Sequence, residues 1–165
     1  MLRSDPQGFI QSTAEKMNTM ISDIRLEAAA PIGNADERSY TAEVVPDELN
    51  VTVTFSHENA RGETTAYGQI NRMTVTAQSY TAAQRGRAEG DFLALSSALM
   101  AVLADTQDPA ECEAQLVQRM EEAEAAVEQG STFRYQGCDC RVTVSDPGGD
   151  STRSVFTVTV PELVQ

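Results

Sequence analysis

The stretch SYTAEVVPDELNVTVTFSH, residues 39–57, decides the fold. Tyr40, Ala42 and Val44 alternate with polar neighbours, and Leu49, Val51, Val53, Phe55 and His57 do so again after a Pro46-Asp47-Glu48 turn. A period of two with Thr and Asn on the other phase predicts two antiparallel strands, one face wet and one face buried. Beyond the loop at 58–63, a third strand is expected from about 64 to 77. Its apolar phase slips between Tyr67 and Ile70, which reads as a bulge at Gly68 in preference to a short hairpin there.

Upstream of the strands, Asp5-Pro6 is an N-cap followed by Pro at the first helical position, and Ile10, Ala14, Met17, Ile21 and Ile24 repeat at helical spacing. This predicts a first helix over 6–23 and a connector over 27–38. Downstream, residues 78–90 read as a linker or as the frayed start of a helix marked by Phe92, Leu95, Leu99, Val102 and Leu103. The near-complete apolarity of that helix predicts deep burial.

Asp108-Pro109-Ala110-Glu111 has the form of a capping box and opens a third helix over 109–129, closed by Gly130. Its inner stripe is Cys112, Leu116, Met120, Ala123 and Val127. A strand follows from Thr132, changes phase at Gln136-Gly137 and continues through Cys138, Cys140, Val142 and Val144. The turn Asp146-Pro147-Gly148-Gly149-Asp150 then leads to a last strand containing Phe156, Val158 and Val160.

The expected fold is therefore a single α+β domain spanning 1–165. An antiparallel sheet of about five strands carries three helices on one face, in the order α-β-β-β-α-α-β-β. At 165 residues, folding buries roughly 70% of the unfolded surface, so one ordinary core suffices.

Charge limits the chemistry. Twenty-five acidic residues stand against twelve basic ones, a formal charge of −13, with Lys16 the only lysine and His57 the only histidine. Few side chains remain to act as bases, Schiff-base amines or zinc ligands near neutral pH. The same balance disfavours direct attraction to nucleic acid or anionic membranes, which needs clustered Lys and Arg. No apolar run approaches the ~20 residues that cross a bilayer, so membrane insertion is not expected. Without a hydrophobic leader, the expected location is cytoplasmic, or extracytoplasmic if a leader has been trimmed.

Each catalytic candidate has a packing explanation. His57 stands at a strand end without an evident partner, and Ser96-Ser97 lie inside the apolar helix with no Gly-x-Ser-x-Gly elbow. Cys138-Asp139-Cys140 places two thiols on one face of a strand, too few with Cys112 and His57 for a convincing zinc site. Reduced buried thiols are the expectation, and a disulfide from Cys112 to Cys138 or Cys140 is the alternative. Gly86-Arg87-Ala88-Glu89-Gly90 lacks the Gly-Lys-Ser/Thr of a phosphate loop, although Arg85 and Arg87, with Arg72, would make a small basic patch. Asp146 and Asp150 flank a hairpin turn, not a calcium loop. No cofactor is expected.

The remaining candidate is the outer face of the third helix, where Glu111, Glu113, Glu121, Glu122, Glu124 and Glu128 face only Arg119. An ordinary solvated face explains it, and so does a docking surface for a basic partner. The leading expectation is a non-catalytic, acidic protein-binding module of the inhibitor, immunity, chaperone or adaptor type, its charge imitating a nucleic-acid backbone. The alternative is an extracytoplasmic structural or ligand-binding domain of a lipoprotein.

Overall fold

In the computed structural model the alternation at 50–56 becomes the third strand of a seven-stranded sheet. The structure describes residues 6–21, 24–27, 39–45, 50–56, 70–146, 149 and 151–160. The elements are α1 (Pro6–Asn18), β1 (Arg25–Glu27), β2 (Ser39–Val45), β3 (Asn50–Ser56), β4 (Arg72–Gln78), α2 (Ala82–Leu103), α3 (Ala110–Ala125), β5 (Ser131–Tyr135), β6 (Cys138–Ser145) and β7 (Arg153–Thr159).

Every strand pair is antiparallel, in the spatial order β1-β2-β3-β4-β7-β6-β5. The chain makes a four-strand meander, crosses over through α2 and α3, and returns at the far edge. From β5 it walks back inward until β7 pairs with β4. The α+β class, the antiparallel sheet and the three helices are as the sequence predicts.

The strand count rises from about five to seven for two local reasons. Arg25–Glu27 adds a short edge strand, too brief to show a period. At Gln136-Gly137 the phase change is a two-residue hairpin: both residues have positive φ, 51° and 76°, as in a type I′ turn. What reads as one strand with a slip is therefore the pair β5 and β6.

The helices form one layer over one sheet face, with α2 packed between α1 and α3 and resting on β3, β4 and β7. This central place is why Leu95 to Ala101 are buried on all sides of the helix. Phe55, Phe92 and Phe156 are fully buried where this layer meets the sheet, and each contributes on the order of 1.5–3 kcal/mol.

The first helix ends earlier than expected, and of the two readings of residues 78–90 the helix start holds. The first helix stops at Asn18, five residues before the predicted end, because the Asn18 amide turns to strand β1. Its Oδ1 accepts from Leu26 N at 2.7 Å and its Nδ2 donates to Leu26 O at 2.9 Å. The second helix starts at Ala82, inside the stretch read as linker or frayed start, with Thr81 Oγ1 accepting from Gln84 N as its cap. The predicted bulge at Gly68 lies outside the described residues.

Candidate functional site

At the start of helix α3 Pro109 holds the cap position, and Asp108 before it accepts from Ala110 N through Oδ1 at 3.0 Å. The reciprocal half of the capping box is not made, since Asp108 N donates to Thr106 Oγ1 instead. Helix α3 ends at Ala125, earlier than predicted, and a turn carries the chain to Gly130, whose N–H donates to Ala126 O at 2.7 Å. Cys112, Leu116, Met120 and Ala123 are buried as the inner stripe, whereas Val127 of the predicted stripe is exposed in the turn.

At about 100° per residue, the glutamates of α3 fan across its outer half instead of lining up. Glu111 and Glu122, eleven positions apart, share one flank. Glu113 and Glu124 share the other, and Glu121 stands between them. Glu128 sits beyond the helix in the following turn, and all six are exposed.

Glu122 differs from the rest. Its Oε2 accepts from Ser131 Oγ at 2.6 Å and pairs with Arg119 Nη1 at 3.2 Å. The Ser131 hydrogen bond, opposed by some desolvation and helped by the Arg119 charge, holds its carboxyl below the usual range. Arg119 in turn lies 4.6 Å over the Phe133 ring, which stacks on Phe156 at 6.3 Å. Arg119, the one basic residue of α3, is thus occupied in fastening the helix to β5, and Glu111, Glu113, Glu121, Glu124 and Glu128 are left without an ion pair among the described residues. Val117 lies 41% exposed between Glu113 and Glu121.

The other sequence candidates do not converge. Cys112, Cys138 and Cys140 are free and buried. Burial raises the Cys138 thiol and pushes Cys140 up to about 12, so neither is an activated nucleophile. Cys112 Sγ lies 3.4 Å from Tyr135 Oη. Ser97 Oγ donates to Leu93 O, and Ser96 is wholly buried. Among the described residues no group of three or more His, Cys, Asp or Glu is gathered as a metal requires. His57 and Asp150 lie outside the described residues.

The predicted basic patch is dispersed. Arg85 Nη1 donates to Gly149 O in the β6–β7 turn at 2.9 Å, and Arg87 borders a hollow beside Met20 and Ile21. Arg72 stands on the opposite side of the sheet from both, because strand alternation points it away from the helices.

That opposite side carries a feature the sequence reading missed. A groove of about 580 Å³ crosses β4, β7, β6 and β5 on the helix-free face; Phe133 and Cys140 border it, and its polar lining is Arg72, Arg134, Arg141, Asp139, Thr132, Thr157 and Thr159. Arg25 and Arg153 project from the same face. Glutamates dominate α3, whereas the open sheet face carries, among the described residues, five arginines together with Glu27, which pairs with Arg25, and Asp139, which pairs with Arg134. No helix among the described residues is long and apolar enough to cross a membrane. Compared with known proteins, the chain matches no family model, no curated sequence and no solved structure.

Proposed function

We propose that this protein is a non-catalytic binding module whose α3 face docks on a basic surface of a partner protein. The observation that carries the reading is the charge there: five exposed glutamates without an ion pair among the described residues, with Arg119 committed to Glu122 and Phe133 and Arg141 bonded to the backbone carbonyls of Glu128 and Gln129. Such a face speeds association with an Arg/Lys-rich partner and loses strength with salt. An inhibitor, immunity protein, chaperone or adaptor that covers a nucleic-acid-binding surface fits this charge.

The test is affinity capture from the native host at low salt, comparing the wild type with E111Q/E113Q/E121Q/E124Q/E128Q. Glu122 is kept because it fastens the fold. Capture of an identified basic protein, released by moderate salt and lost in the variant, is the expected result. Capture that survives both the substitutions and high salt overturns the reading.

A further inference from the structure

The open face of the sheet is ordered by register. One row across it runs Ser56, Arg72, Thr159, Asp139, Arg134, and the next runs Thr54, Thr74, Thr157, Arg141, Thr132. The groove lies over the part of these rows contributed by β4, β7, β6 and β5. Its floor is the pair Thr157 and Thr159 on β7, and its walls carry guanidinium groups from β4, β6 and β5.

Two of those guanidiniums are held in place by the fold. Arg141 donates from Nε to Gln129 O at 3.1 Å and from Nη2 to Glu128 O at 3.2 Å. Carbonyls anchor a guanidinium without neutralising it. Arg134 pairs with Asp139 at 3.0 Å and also donates to Gly137 O at 3.1 Å. Among the described residues the lining holds the guanidiniums of Arg72, Arg134 and Arg141 and the carboxylate of Asp139. The hydroxyls of Thr132, Thr157 and Thr159 make no hydrogen bond among the described residues, so donors stand ready beside fixed positive charge.

We propose that this groove binds a small ligand bearing a tetrahedral dianion, a phosphate monoester. Guanidinium forks with hydroxyl donors suit phosphate oxygens, and the volume lies in the range of small-molecule sites. Phe133 borders the groove, but its ring is stacked on Phe156 and covered by Arg119, so among the described residues no aromatic face is open to a ligand there and the phosphate is the recognised group. The acidity of the chain as a whole does not prevent this. Screening limits the reach of exposed charges to about 8 Å at physiological salt, α3 packs on the other sheet face, and where Arg141 meets Glu128 the contact is with its backbone carbonyl.

The test is an amide NMR titration at constant ionic strength with inorganic phosphate, phosphoserine and acetate. Saturable shifts at Thr157, Thr159, Asp139 and Arg141 with both phosphates, and none with acetate, are expected. T157V/T159V retains strand-forming side chains and weakens phosphate binding by roughly tenfold, as does R141Q. Equal shifts with acetate, non-saturating shifts, or unchanged affinity in T157V/T159V overturn the proposal. Tighter binding of an oligothymidylate than of phosphoserine overturns the small-ligand form of it. The five-glutamine variant of α3 keeps the phosphate response, so this site and the α3 surface stand or fall separately.

Discussion

Ser131 Oγ donates a 2.6 Å hydrogen bond to Glu122 Oε2, joining the first residue of β5 to the last turn of α3. The bond removes Glu122 from the free acidic face and makes it a fastener between helix and sheet edge. A carboxyl whose folded value lies below 4.5 stabilises the fold above that pH, and the contribution is lost as pH falls through the folded value. E122Q keeps the shape and an acceptor oxygen but carries no charge. The stability difference between wild type and E122Q is expected to be constant near neutrality and to shrink as pH falls below 4.5. Urea melts across that range check it, with E113Q as an exposed control; a difference that stays constant into acid contradicts the assignment.

Gly86 and Gly130 have opposite relations to their surroundings. Gly86 is a helical residue of α2 with nothing within 4 Å of where a Cβ would stand. G86A is expected to stabilise the protein by about 0.5–1 kcal/mol, because alanine loses less backbone entropy in a helix. Gly130 has φ +70°, and a Cβ there would lie 2.5 Å from Val142 O and 2.8 Å from Thr143 Cγ2. G130A is expected to destabilise by roughly 1–3 kcal/mol. Denaturant midpoints of the two variants moving in the same direction would refute this reading.

These local contacts explain what the sequence discloses and what it hides. Val51, Val53 and Phe55 alternate cleanly because β3 is a central strand with one face against helices, and Phe156 and Val158 do so for the same reason. The start of α2 is obscured by Gly86 and Gly90, two poor helix formers in a solvated first half. The hairpin at Gln136-Gly137 is obscured because Gln, not Asn or Asp, holds the first positive-φ position. Composition alone reveals the acidic helix, since its glutamates are neighbours in sequence. The groove could not be read that way: Arg72 and Arg134 meet one surface only through the register of four strands joined by a two-helix crossover.

Cys138 and Cys140 face the helices from adjacent inward positions on β6, and their thiols are raised chiefly by burial. The unfolded thiol ionises near 9.0, whereas Cys140 in the fold does so only at about 12. A raised folded value gives stability that is complete below the unfolded pKa and disappears as pH climbs toward the folded one. Tyr135, raised by its own burial and its contact with Cys112, adds to the same alkaline limb. Stability is therefore expected to fall above about pH 9, and C140V, which keeps an apolar side chain of similar size, to flatten part of that fall. In neutral buffer, alkylation of both thiols should follow unfolding; rapid labelling of the native protein would count against it.

Ser96 Oγ is wholly buried in the middle of α2 and has no hydrogen-bond partner among the described residues, while the adjacent Ser97 Oγ returns to Leu93 O at 2.5 Å. A buried hydroxyl without a partner keeps its desolvation cost, on the order of 1–3 kcal/mol, and serine is also a weaker helix former than alanine. S96A removes the hydroxyl and leaves a space smaller than a methyl group. It is expected to raise stability by about 1 kcal/mol, with an increased denaturant midpoint and an unchanged m value. S97A removes a satisfied hydroxyl and gains only the helix preference, so it is expected to lie within about 0.5 kcal/mol of wild type. The comparison places the cost in the unpaired oxygen, not in serine as such. If S96A instead lowers the midpoint, the Ser96 hydroxyl is bonded in solution.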